Sequence, residues 1–431
     1  MRGSHFLVIL LFICSSILHV DCHSKNANAK FADVQLVYAR DLDNLSPKDP
    51  IKSKLDTLDK LTDIIGECLN GTLIIAVHDT VLMEKAFGYL EIFKDPTGYG
   101  NVTYNDLAAM KQNESNKMTT YTLFDLASVS KQFTAAAILK LCSEEKLNLT
   151  DSLYQFYPDL PYKYVTIRQM LAHTSGIPEY FNFAFNIYDT TVFISNEQLI
   201  KVMEKQRYPY MFNRGSQFKY VNTNYAILAA IVAQVSGVSF EEYVRENLWK
   251  PAGMKDTRFF TEIVGVAPED KLQHSPVEKG QEYVDVKPMK GTVELPVARG
   301  HWKNAALASY DRLNGILGDK GVYSNVEDMV RWTNAFYLQY KILPKEWVDK
   351  AIKCQNKLSN GKIPAEMYGY GVRMENKPGH DKVVYHGGLW DGFHNVWMYR
   401  PSDGLQIIFL SNYYNRGHIG RCDQLLEIID N

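Results

Sequence analysis

Strand-like patterns occur near both ends of this chain, and their placement constrains the fold more than any other sequence feature. Near the start, residues 72–79 and 82–89 read as two strands joined at Asp79-Thr80. After residue 366 the pattern changes to period two, which predicts strands over residues 368–374, 382–385, 392–399 and 405–410. The simplest assembly that satisfies both groups is one antiparallel sheet built from the two chain ends.

Helical patterns fill the middle of the chain and also lie beside the terminal strands. They predict helices over residues 51–69, 128–145, 196–205, 224–236, 325–340 and 417–429. The expected fold class is α+β: an antiparallel sheet flanked by the terminal helices, with an inserted all-helical region. We expect one domain over residues 51–430, with a sheet region at about 51–110 and 305–430 and a helical region at about 120–300.

The N-terminal residues have the features of a secretory signal. An apolar run from Phe6 to Leu18 fits the core of a signal peptide and is short for a membrane span. We predict a signal peptide over residues 1–22 and a poorly ordered lead-in over residues 23–50. The alternative is a membrane anchor. The prediction is thus a secreted protein without stable membrane insertion.

Asparagine and cysteine usage agrees with an extracellular location. Five Asn-x-Ser/Thr sequences give candidate glycosylation sites at Asn44, Asn70, Asn101, Asn113 and Asn148. The cysteines that remain beyond the signal peptide are Cys68, Cys142, Cys354 and Cys422, which allow three pairings. No pair of them has the close spacing of a metal site.

Composition narrows the class of partners. The hydrophobic fraction of 46% and the charged fraction of 22% are ordinary for a globular protein. The formal net charge is −2, and no basic stripe with interleaved aromatic residues occurs. Both observations argue against a nucleic-acid partner. The sequence does not indicate an oligomeric state.

The first candidate catalytic pair is Ser128 and Lys131. Their spacing places both side chains on one face at the start of a predicted helix. A serine hydroxyl needs a base to become a good nucleophile, and a lysine amine serves once burial lowers its pKa. Ser-x-x-Lys occurs four times in the chain. Only this copy follows a probable turn and precedes a helix rich in small apolar residues.

A second candidate element is Tyr220-Val-Asn222 in the helical region. A tyrosine near cations can act as a base, so Tyr220 is a further catalytic candidate. Asn222 could orient Lys131 and hydrogen-bond an amide substrate. The alternative is that Tyr220 is a packing residue.

A third candidate element is the late strand that contains His386-Gly387-Gly388-Leu389. Two glycines let a substrate backbone approach the strand closely. The amide N–H of Leu389 could pair with that of Ser128 as an oxyanion hole. His386 would then place a positive or donating group on the wall of the cleft, and Gly388 would line it. The alternative is that His386 is a half-exposed strand histidine.

Together these three elements resemble the signatures of the serine β-lactamase and penicillin-binding-protein superfamily. The similarity is greatest to the branch with class C β-lactamases, D-Ala-D-Ala carboxypeptidases, D-aminopeptidases and related esterases, whose second and third motifs are Tyr-x-Asn and Lys-Thr-Gly or His-x-Gly. The intervening segments 171–178, 222–228, 318–324 and 368–371 resemble that branch too. The resemblance covers roughly residues 52–430.

The resemblance implies a serine hydrolase that cleaves a small amide or ester through an acyl-enzyme on Ser128. Lys131, Tyr220 or both would be the general base, and no cofactor or metal takes part. Alternatives are an acyltransferase that uses the same acyl-enzyme and a catalytically silent binding or assembly protein. The family fold also packs the first and last helices together, which implies a possible Cys68–Cys422 disulfide.

Two departures from the third motif bear on the substrate, at His386 and at Gly387, which lacks the hydroxyl of a threonine. His386 stands where many β-lactamases have lysine, and a neutral histidine lacks a fixed charge for an antibiotic carboxylate. Leu389, Trp390 and Phe393 are bulky, which favours an apolar or aromatic substrate portion. A Ser-His-Asp hydrolase is the competing enzyme, but no Gly-x-Ser-x-Gly elbow occurs in the chain. His173 would be the candidate histidine of such a triad, but its sequence context is that of a loop-shaping turn.

Overall fold

A computed structural model of the chain describes residues 37–38, 56, 59, 70–92, 114–183, 193–265, 295–302, 307–362, 365–376 and 381–414. The predictions that lie outside these residues are the signal peptide, the last helix, Asn44, Asn101, Asn113, Cys68 and Cys422. Of the lead-in predicted to be poorly ordered, only Val37 and Tyr38 are described, and both belong to a strand. Of the first predicted helix, Asp56 and Asp59 are described, and both are helical. Asp59 Oδ1 lies 2.7 Å from Lys85 Nζ on a strand.

The strands form two sheets. In chain order they are β1 (Val37–Tyr38), β2 (Gly71–Val77), β3 (Thr80–Phe87), β4 (Phe124–Asp125), β5 (Arg258–Phe259), β6 (Val322–Ser324), β7 (Met367–Tyr368), β8 (Arg373–Glu375), β9 (Val383–Trp390), β10 (Phe393–Arg400) and β11 (Leu405–Ser411). Among the described residues the larger sheet has eight strands, in the order β1-β3-β2-β11-β10-β9-β8-β7. Strand β1 is parallel to β3, and the other neighbours are antiparallel.

The prediction of one sheet from both chain ends is confirmed by the pairing of β11 with β2. This pairing runs over their whole length, from Leu405 opposite Val77 to Ser411 opposite Gly71. All the residues of both strands are buried, so each face of the sheet centre is covered. Alternate side chains of a strand point to opposite faces. Accordingly Ile74 belongs to the main core and Ile75 to a second apolar cluster.

Two predicted strands are wrong in their extent. The strand predicted over residues 382–385 is β9, which runs from Val383 to Trp390. Residues 368–374 form two short strands, β7 and β8, because the chain turns between them at Gly371. Gly371 has φ of +76°, a conformation that favours glycine. A Cβ atom there would lie 2.8 Å from the main-chain oxygen of Lys131. The turn therefore allows this end of the sheet to approach the helical region closely.

The helices lie between the two groups of strands, as predicted. They are α1 (Lys131–Ser143), α2 (Ile167–Leu171), α3 (Asn196–Gln206), α4 (Asn222–Ser236), α5 (Phe240–Val244), α6 (Lys250–Ala252), α7 (Phe260–Val264), α8 (Val326–Thr333) and α9 (Lys345–Ala351). Two π-helical segments, Arg245–Trp249 and Asn334–Leu338, follow α5 and α8. Short 3₁₀ turns are Glu114–Asn116, Ala127–Ser130, Leu153–Gln155, Tyr180–Asn182 and Arg312–Gly315.

Helix α1 is the central element of the helical region. Nearly all of its side chains are buried, from Lys131 to Cys142, and small residues such as Ala136 let α4 approach. A loop is wedged against the same helices at Gly318, whose φ is +101°. A Cβ atom there would lie 2.5 Å from Ala229 Cβ. Thr134 Oγ1 donates to the Gly318 main-chain oxygen at 2.7 Å, which fixes this loop beside the start of α1.

A second sheet was not predicted from the sequence, because its strands are only two or three residues long. Its order is β4-β6-β5, and all neighbours are antiparallel. Phe124 pairs with Ser324, and Asp125 pairs with Tyr323. Strand β4 ends three residues before Ser128, so this sheet anchors the segment that carries the serine.

The glycosylation predicted at Asn70 is wrong for this fold. Asn70 is 6% exposed, and its Nδ2 donates to the Tyr89 main-chain oxygen at 2.6 Å and to Asn412 Oδ1 at 2.5 Å. A glycan on this nitrogen would have to displace the strand β11 end that covers it. Asn148, by contrast, is exposed.

The described part of the chain contains no single helix long and apolar enough to cross a membrane. One pair of helices, Asn222–Ser236 and Phe240–Ala252, meets the length and composition criteria together, with a bend of 81° between its members.

Candidate active site

Ser128 lies in a tight turn between the small sheet and α1. The prediction of a turn that runs into a helix is confirmed, and the turn is 3₁₀, from Ala127 to Ser130. Ala127 has φ of +49°, a strained conformation for a residue with a Cβ atom. Its N–H donates to Asp125 Oδ1 at 2.8 Å. Burial raises the pKa of Asp125 to about 7 and the Ala127 N–H opposes that rise. The hydrogen bond from the Ala127 N–H to the buried Asp125 side chain thus stabilises the strained backbone conformation of Ala127.

Lys131 is the most enclosed charged residue of the site, at 0% exposure. Its Nζ has three oxygen acceptors: Ser128 Oγ at 3.0 Å, Asn222 Oδ1 at 2.7 Å and the main-chain oxygen of Asp319 at 2.8 Å. The structure therefore brings together Ser128, Lys131 and Asn222, which lie on three separate segments of the turn, α1 and α4.

Burial lowers the pKa of Lys131 from 10.5 to about 7. The carboxylates of Asp319 and Glu179 oppose this change, and the cations Lys320 and Arg373 add to it. A large fraction of Lys131 is consequently neutral at pH 7, and a neutral amine has the lone pair that a base requires.

Tyr220 lies directly before α4 and over the lysine. Its ring centroid is 4.9 Å from Lys131 Nζ. Burial raises the pKa of Tyr220 well above its ordinary value of 10, while the nearby Ser128 hydroxyl and Arg373 oppose the rise. The buried Oη makes no hydrogen bond of standard distance and angle within the described part of the chain. Tyr220 is therefore a protonated phenol at neutral pH.

Gly388 brings β9 against the turn that carries Ser128. A Cβ atom on Gly388 would lie 2.2 Å from the main-chain oxygen of Leu126, so only glycine permits this approach. Asn395 on β10 pairs with Gly388, and its Nδ2 donates to the Asp125 main-chain oxygen at 2.7 Å. Leu389 follows at the surface with 49% exposure.

The predicted positive or donating role of His386 is wrong. His386 is 1% exposed, and both of its ring nitrogens have partners inside the protein. Nε2 lies 3.0 Å from Tyr368 Oη, and Nδ1 lies 2.7 Å from the Gly387 main-chain oxygen. Burial lowers the pKa of His386 well below 6.5, and Arg373 and Lys131 lower it further. The residue is a neutral support of β9.

Arg373 provides the fixed positive charge that the sequence motifs did not locate. Its guanidinium carbon lies 5.0 Å from the Tyr220 ring centroid and 5.8 Å from that of Tyr368. The guanidinium also pairs with Glu366. Arg373 is opposite Tyr385 in the β8–β9 ladder, so the sheet positions it. A single arginine in a strand of three residues carries no motif, which is why the sequence did not reveal it.

Two acidic residues of the site were also missed. Glu179 Oε2 accepts the main-chain N–H of Asn222 at 2.8 Å and its Nδ2 at 3.1 Å. Asp319 contributes its main-chain oxygen to Lys131, and its carboxylate accepts from Tyr180 Oη at 2.9 Å. The residues that these contacts join are separated by between 43 and 188 positions in the sequence. A local sequence pattern therefore cannot predict them.

The apolar wall of the cleft differs from the predicted one. Phe393 is 1% exposed and packs in the core, so it does not line the cleft. Trp390 instead stacks on Phe181 with ring centroids 5.3 Å apart and planes 15° apart. Lys320 Nζ lies 5.0 Å from the Trp390 ring, and Asn314 Oδ1 accepts from Trp390 Nε1. The aromatic wall thus combines one residue of the helical region with one of the sheet.

The competing motifs are structural. His173 is buried, and its Nδ1 accepts the Val221 main-chain N–H at 3.1 Å, so it shapes the loop before α4 as expected. The other three Ser-x-x-Lys copies have exposed lysines, which are Lys146, Lys219 and Lys362. Across the described ranges, no group of three or more His, Cys, Asp and Glu residues is placed to hold a metal ion.

In this structure a serine and a buried lysine one helical turn later lie where a large antiparallel sheet meets a helical region. This combination defines the β-lactamase and transpeptidase-like class of folds. The chain belongs to the Beta-lactamase family, whose model matches residues 61–423. Members of this superfamily are mostly serine hydrolases that act on small substrates such as peptides and amides.

Two relatives illustrate the range of similarity. Penicillin-binding protein 4* of Bacillus subtilis is 29% identical over 363 residues, which cover 84% of this chain and 72% of the relative. Protein flp of Staphylococcus aureus strain MW2 is 24% identical over 357 residues, covering 80% of this chain. The match spans 60% of the length of that second relative.

Solved structures show the same fold. The octameric penicillin-binding protein homologue from Pyrococcus abyssi matches with a TM-score of 0.64 and 25% identity, over 86% of this chain and 77% of the other. The D-amino acid amidase from Ochrobactrum anthropi SV3 matches with a TM-score of 0.61 and 19% identity, over 89% and 99%.

Proposed function

We propose that this protein is a secreted serine hydrolase that cleaves a small amide or ester through an acyl-enzyme on Ser128. The observation that carries the proposal is the contact of 3.0 Å between Ser128 Oγ and Lys131 Nζ, in surroundings that bring the lysine pKa to about 7. A nucleophile and a base of suitable pKa lie within hydrogen-bonding distance, as general-base catalysis requires.

The hydrogen bonds of Lys131 favour this residue as the base. A neutral amine has two protons and one lone pair. Two acceptors cannot offer a proton in return: Asn222 Oδ1 and the Asp319 main-chain oxygen. If they accept the two amine protons, the lone pair is directed at Ser128 Oγ and can take the hydroxyl proton as the serine attacks a carbonyl carbon.

Tyr220 suits a different step. Because burial keeps its phenol protonated at neutral pH, it is a poor base in the free enzyme. We assign it to proton transfer toward the leaving group, after which Lys131 supplies the replacement proton. The oxyanion of the tetrahedral intermediate would be held by the amide N–H groups of Ser128 and Leu389.

The substrate would combine an apolar part with an anionic part. Leu389 and the Phe181–Trp390 stack offer an apolar surface at one side of the cleft. Arg373 is a permanent cation beside Tyr220, so it offers a binding partner for a carboxylate that competes with Glu366. A small peptide with a free carboxyl end has these properties. Names of similar proteins, a penicillin-binding protein and a D-amino acid amidase, agree with this class.

The decisive experiment is covalent labelling of the purified protein with a fluorophosphonate, followed by peptide mass spectrometry. We expect the label on the peptide that contains Ser128, and Ser128→Ala should lower labelling and model-ester turnover by at least about a thousandfold. Ser359→Ala, in an exposed copy of the same motif, is the matched control and should retain both. A Ser128→Ala variant with normal turnover would refute the proposal.

Acyl transfer and a silent binding role are the remaining candidates. Added alcohols or amines would appear in the product if the acyl-enzyme is resolved by transfer, whereas only the acid forms in hydrolysis. A protein that binds a partner while Ser128 stays unlabelled would be a silent member. The oligomeric state is open, since one structural neighbour is octameric.

A further inference from the structure

Glu179 forms an unusual pair of contacts behind the candidate base. A single oxygen, Oε2, accepts both the main-chain N–H of Asn222 at 2.8 Å and its side-chain Nδ2 at 3.1 Å. The other oxygen, Oε1, is buried and has no hydrogen-bond partner within the described residues. Within the described part of the chain Glu179 makes no hydrogen bond to Ser128 or Lys131, so any influence on them passes through Asn222 or through its charge.

The carboxylate determines which way the Asn222 amide faces. An ionised carboxylate only accepts hydrogen bonds, so the amide must turn its Nδ2 toward Glu179. Its Oδ1 then faces Lys131, where it accepts from Nζ at 2.7 Å. If the amide were reversed, an N–H would point at the lysine and donate to its lone pair. That lone pair would then be unavailable to Ser128.

We propose that Glu179 is a positioning residue for the serine-activating lysine: it holds the Asn222 amide in the orientation that directs the Lys131 lone pair at Ser128, and its negative charge acts on the lysine. The proposal rests on the proposed function, because it assigns Lys131 as the base.

The surroundings of both groups enter the pH argument. Burial lowers the pKa of Lys131, Asp319 and Glu179 raise it, and Lys320 and Arg373 lower it further. Burial raises the pKa of Glu179 and the two Asn222 N–H contacts oppose that rise. The other titratable groups that interact with these two residues are His173, His386, Tyr180 and Tyr220. Removal of the Glu179 charge therefore lowers the pKa of Lys131.

Two variants separate the charge from the positioning. In Glu179→Gln, the amide oxygen can take the place of Oε2 and accept both Asn222 N–H groups, so the orientation is kept and the charge is lost. In Glu179→Met, both are lost at similar side-chain volume. Glu144→Gln is the matched control, because Glu144 lies at the opposite end of α1 and pairs with Lys140 and Lys146.

The first measurement is the rate of Ser128 labelling as a function of pH. For Glu179→Gln we expect the acid limb to move to lower pH by at least about 0.5 unit, with a plateau within about threefold of the wild type. For Glu179→Met we expect the same direction of shift and a plateau about tenfold lower or more. Glu144→Gln should match the wild type in both respects.

The second measurement does not depend on activity. NMR titration of lysines labelled at the side chain gives the pKa of Lys131 directly, with its signal assigned by its absence in Lys131→Met. We expect a lower Lys131 pKa in Glu179→Gln than in the wild type. The proposal would be overturned if the pKa of Lys131 were the same in Glu179→Gln and in the wild type. It would also be overturned if both Glu179 variants lowered the labelling plateau equally without moving the acid limb of the pH profile. If Ser128 of the wild-type protein is not labelled at all, but the Lys131 pKa is lower in Glu179→Gln, the result would refute the proposed function alone.

Discussion

At the scale of single residues, the burial of Lys131 acts in opposite directions on chemistry and on stability. Burial makes the lysine a base near pH 7, but the same desolvation opposes folding while the lysine is charged. The pKa of Lys131 is about 7 in the folded state, whereas the ordinary pKa of a lysine is 10.5. Between these values the unfolded chain binds a proton that the folded chain has released, so the fold gains stability as the pH rises through this window.

Lys131→Met tests this cost. The variant should lose Ser128 labelling, and its free energy of unfolding relative to the wild type should fall with increasing pH, by about 1.4 kcal/mol per pH unit at most between pH 7 and 10. Urea denaturation of both proteins at pH 7 and pH 9 measures the difference. Lys362→Met, at an exposed lysine, should show no such dependence. A pH-independent difference between Lys131→Met and wild type would show that the buried amine keeps its ordinary pKa.

At the scale of elements, the site depends on how closely β9 approaches the turn before α1. The contact is made by Gly388 against the Leu126 main-chain oxygen, and the strand is held from the other side by Asn395, which bonds Asp125. Neither contact involves a reacting group. Their effect is to place the Leu389 segment and the Ser128 turn on one wall, as an oxyanion hole would require.

Gly388→Ala should therefore reduce activity more than it reduces stability. The added Cβ atom would lie 2.2 Å from a main-chain oxygen, so the strand or the turn must shift. We expect a fall of about 1–3 kcal/mol in the free energy of unfolding and a loss of about a hundredfold or more in Ser128 labelling. Thermal unfolding and labelling kinetics on the same preparation compare the two effects. Wild-type labelling in a folded variant would show that the strand need not approach so closely.

The limits of sequence reasoning are clearest at this same scale. The long strands of the larger sheet and the elements around Ser128, Tyr220 and Gly388 follow from local patterns, since periodicity and motif residues lie within a few positions of each other. The residues 368–374 were predicted as one strand because the alternation continues through Gly371, whose turn is imposed by the approach of α1. His386 was assigned by motif alone, and only tertiary burial makes it neutral.

At the scale of the whole molecule, distant segments are joined around one lysine. Lys131 reaches Asn222 on α4 and Asp319 on the loop after Gly318, which lie 91 and 188 residues further along the chain. Glu179 joins from the segment between α2 and α3, and Arg373 joins from strand β8. The chemistry consequently exists only when the sheet and the helical region are both assembled, and it should be lost on any partial unfolding that separates them.

The arrangement of the molecule also decides which predicted glycosylation sites can be used. Asn148 is exposed between α1 and α2, whereas Asn70 lies under the end of β11 and exchanges hydrogen bonds with Tyr89 and Asn412. In protein secreted from eukaryotic cells, Asn148→Gln should remove one glycan, seen as a smaller mass shift on treatment with peptide N-glycosidase. Asn70→Gln should leave the glycan mass unchanged and lower the free energy of unfolding by about 1–3 kcal/mol, because buried partners lose their hydrogen bonds. A glycan on Asn70 in folded protein that is labelled at Ser128 would contradict the pairing of β11 with β2 at this end of the sheet. If Asn148 carries no glycan in the same protein, the result would count against secretion.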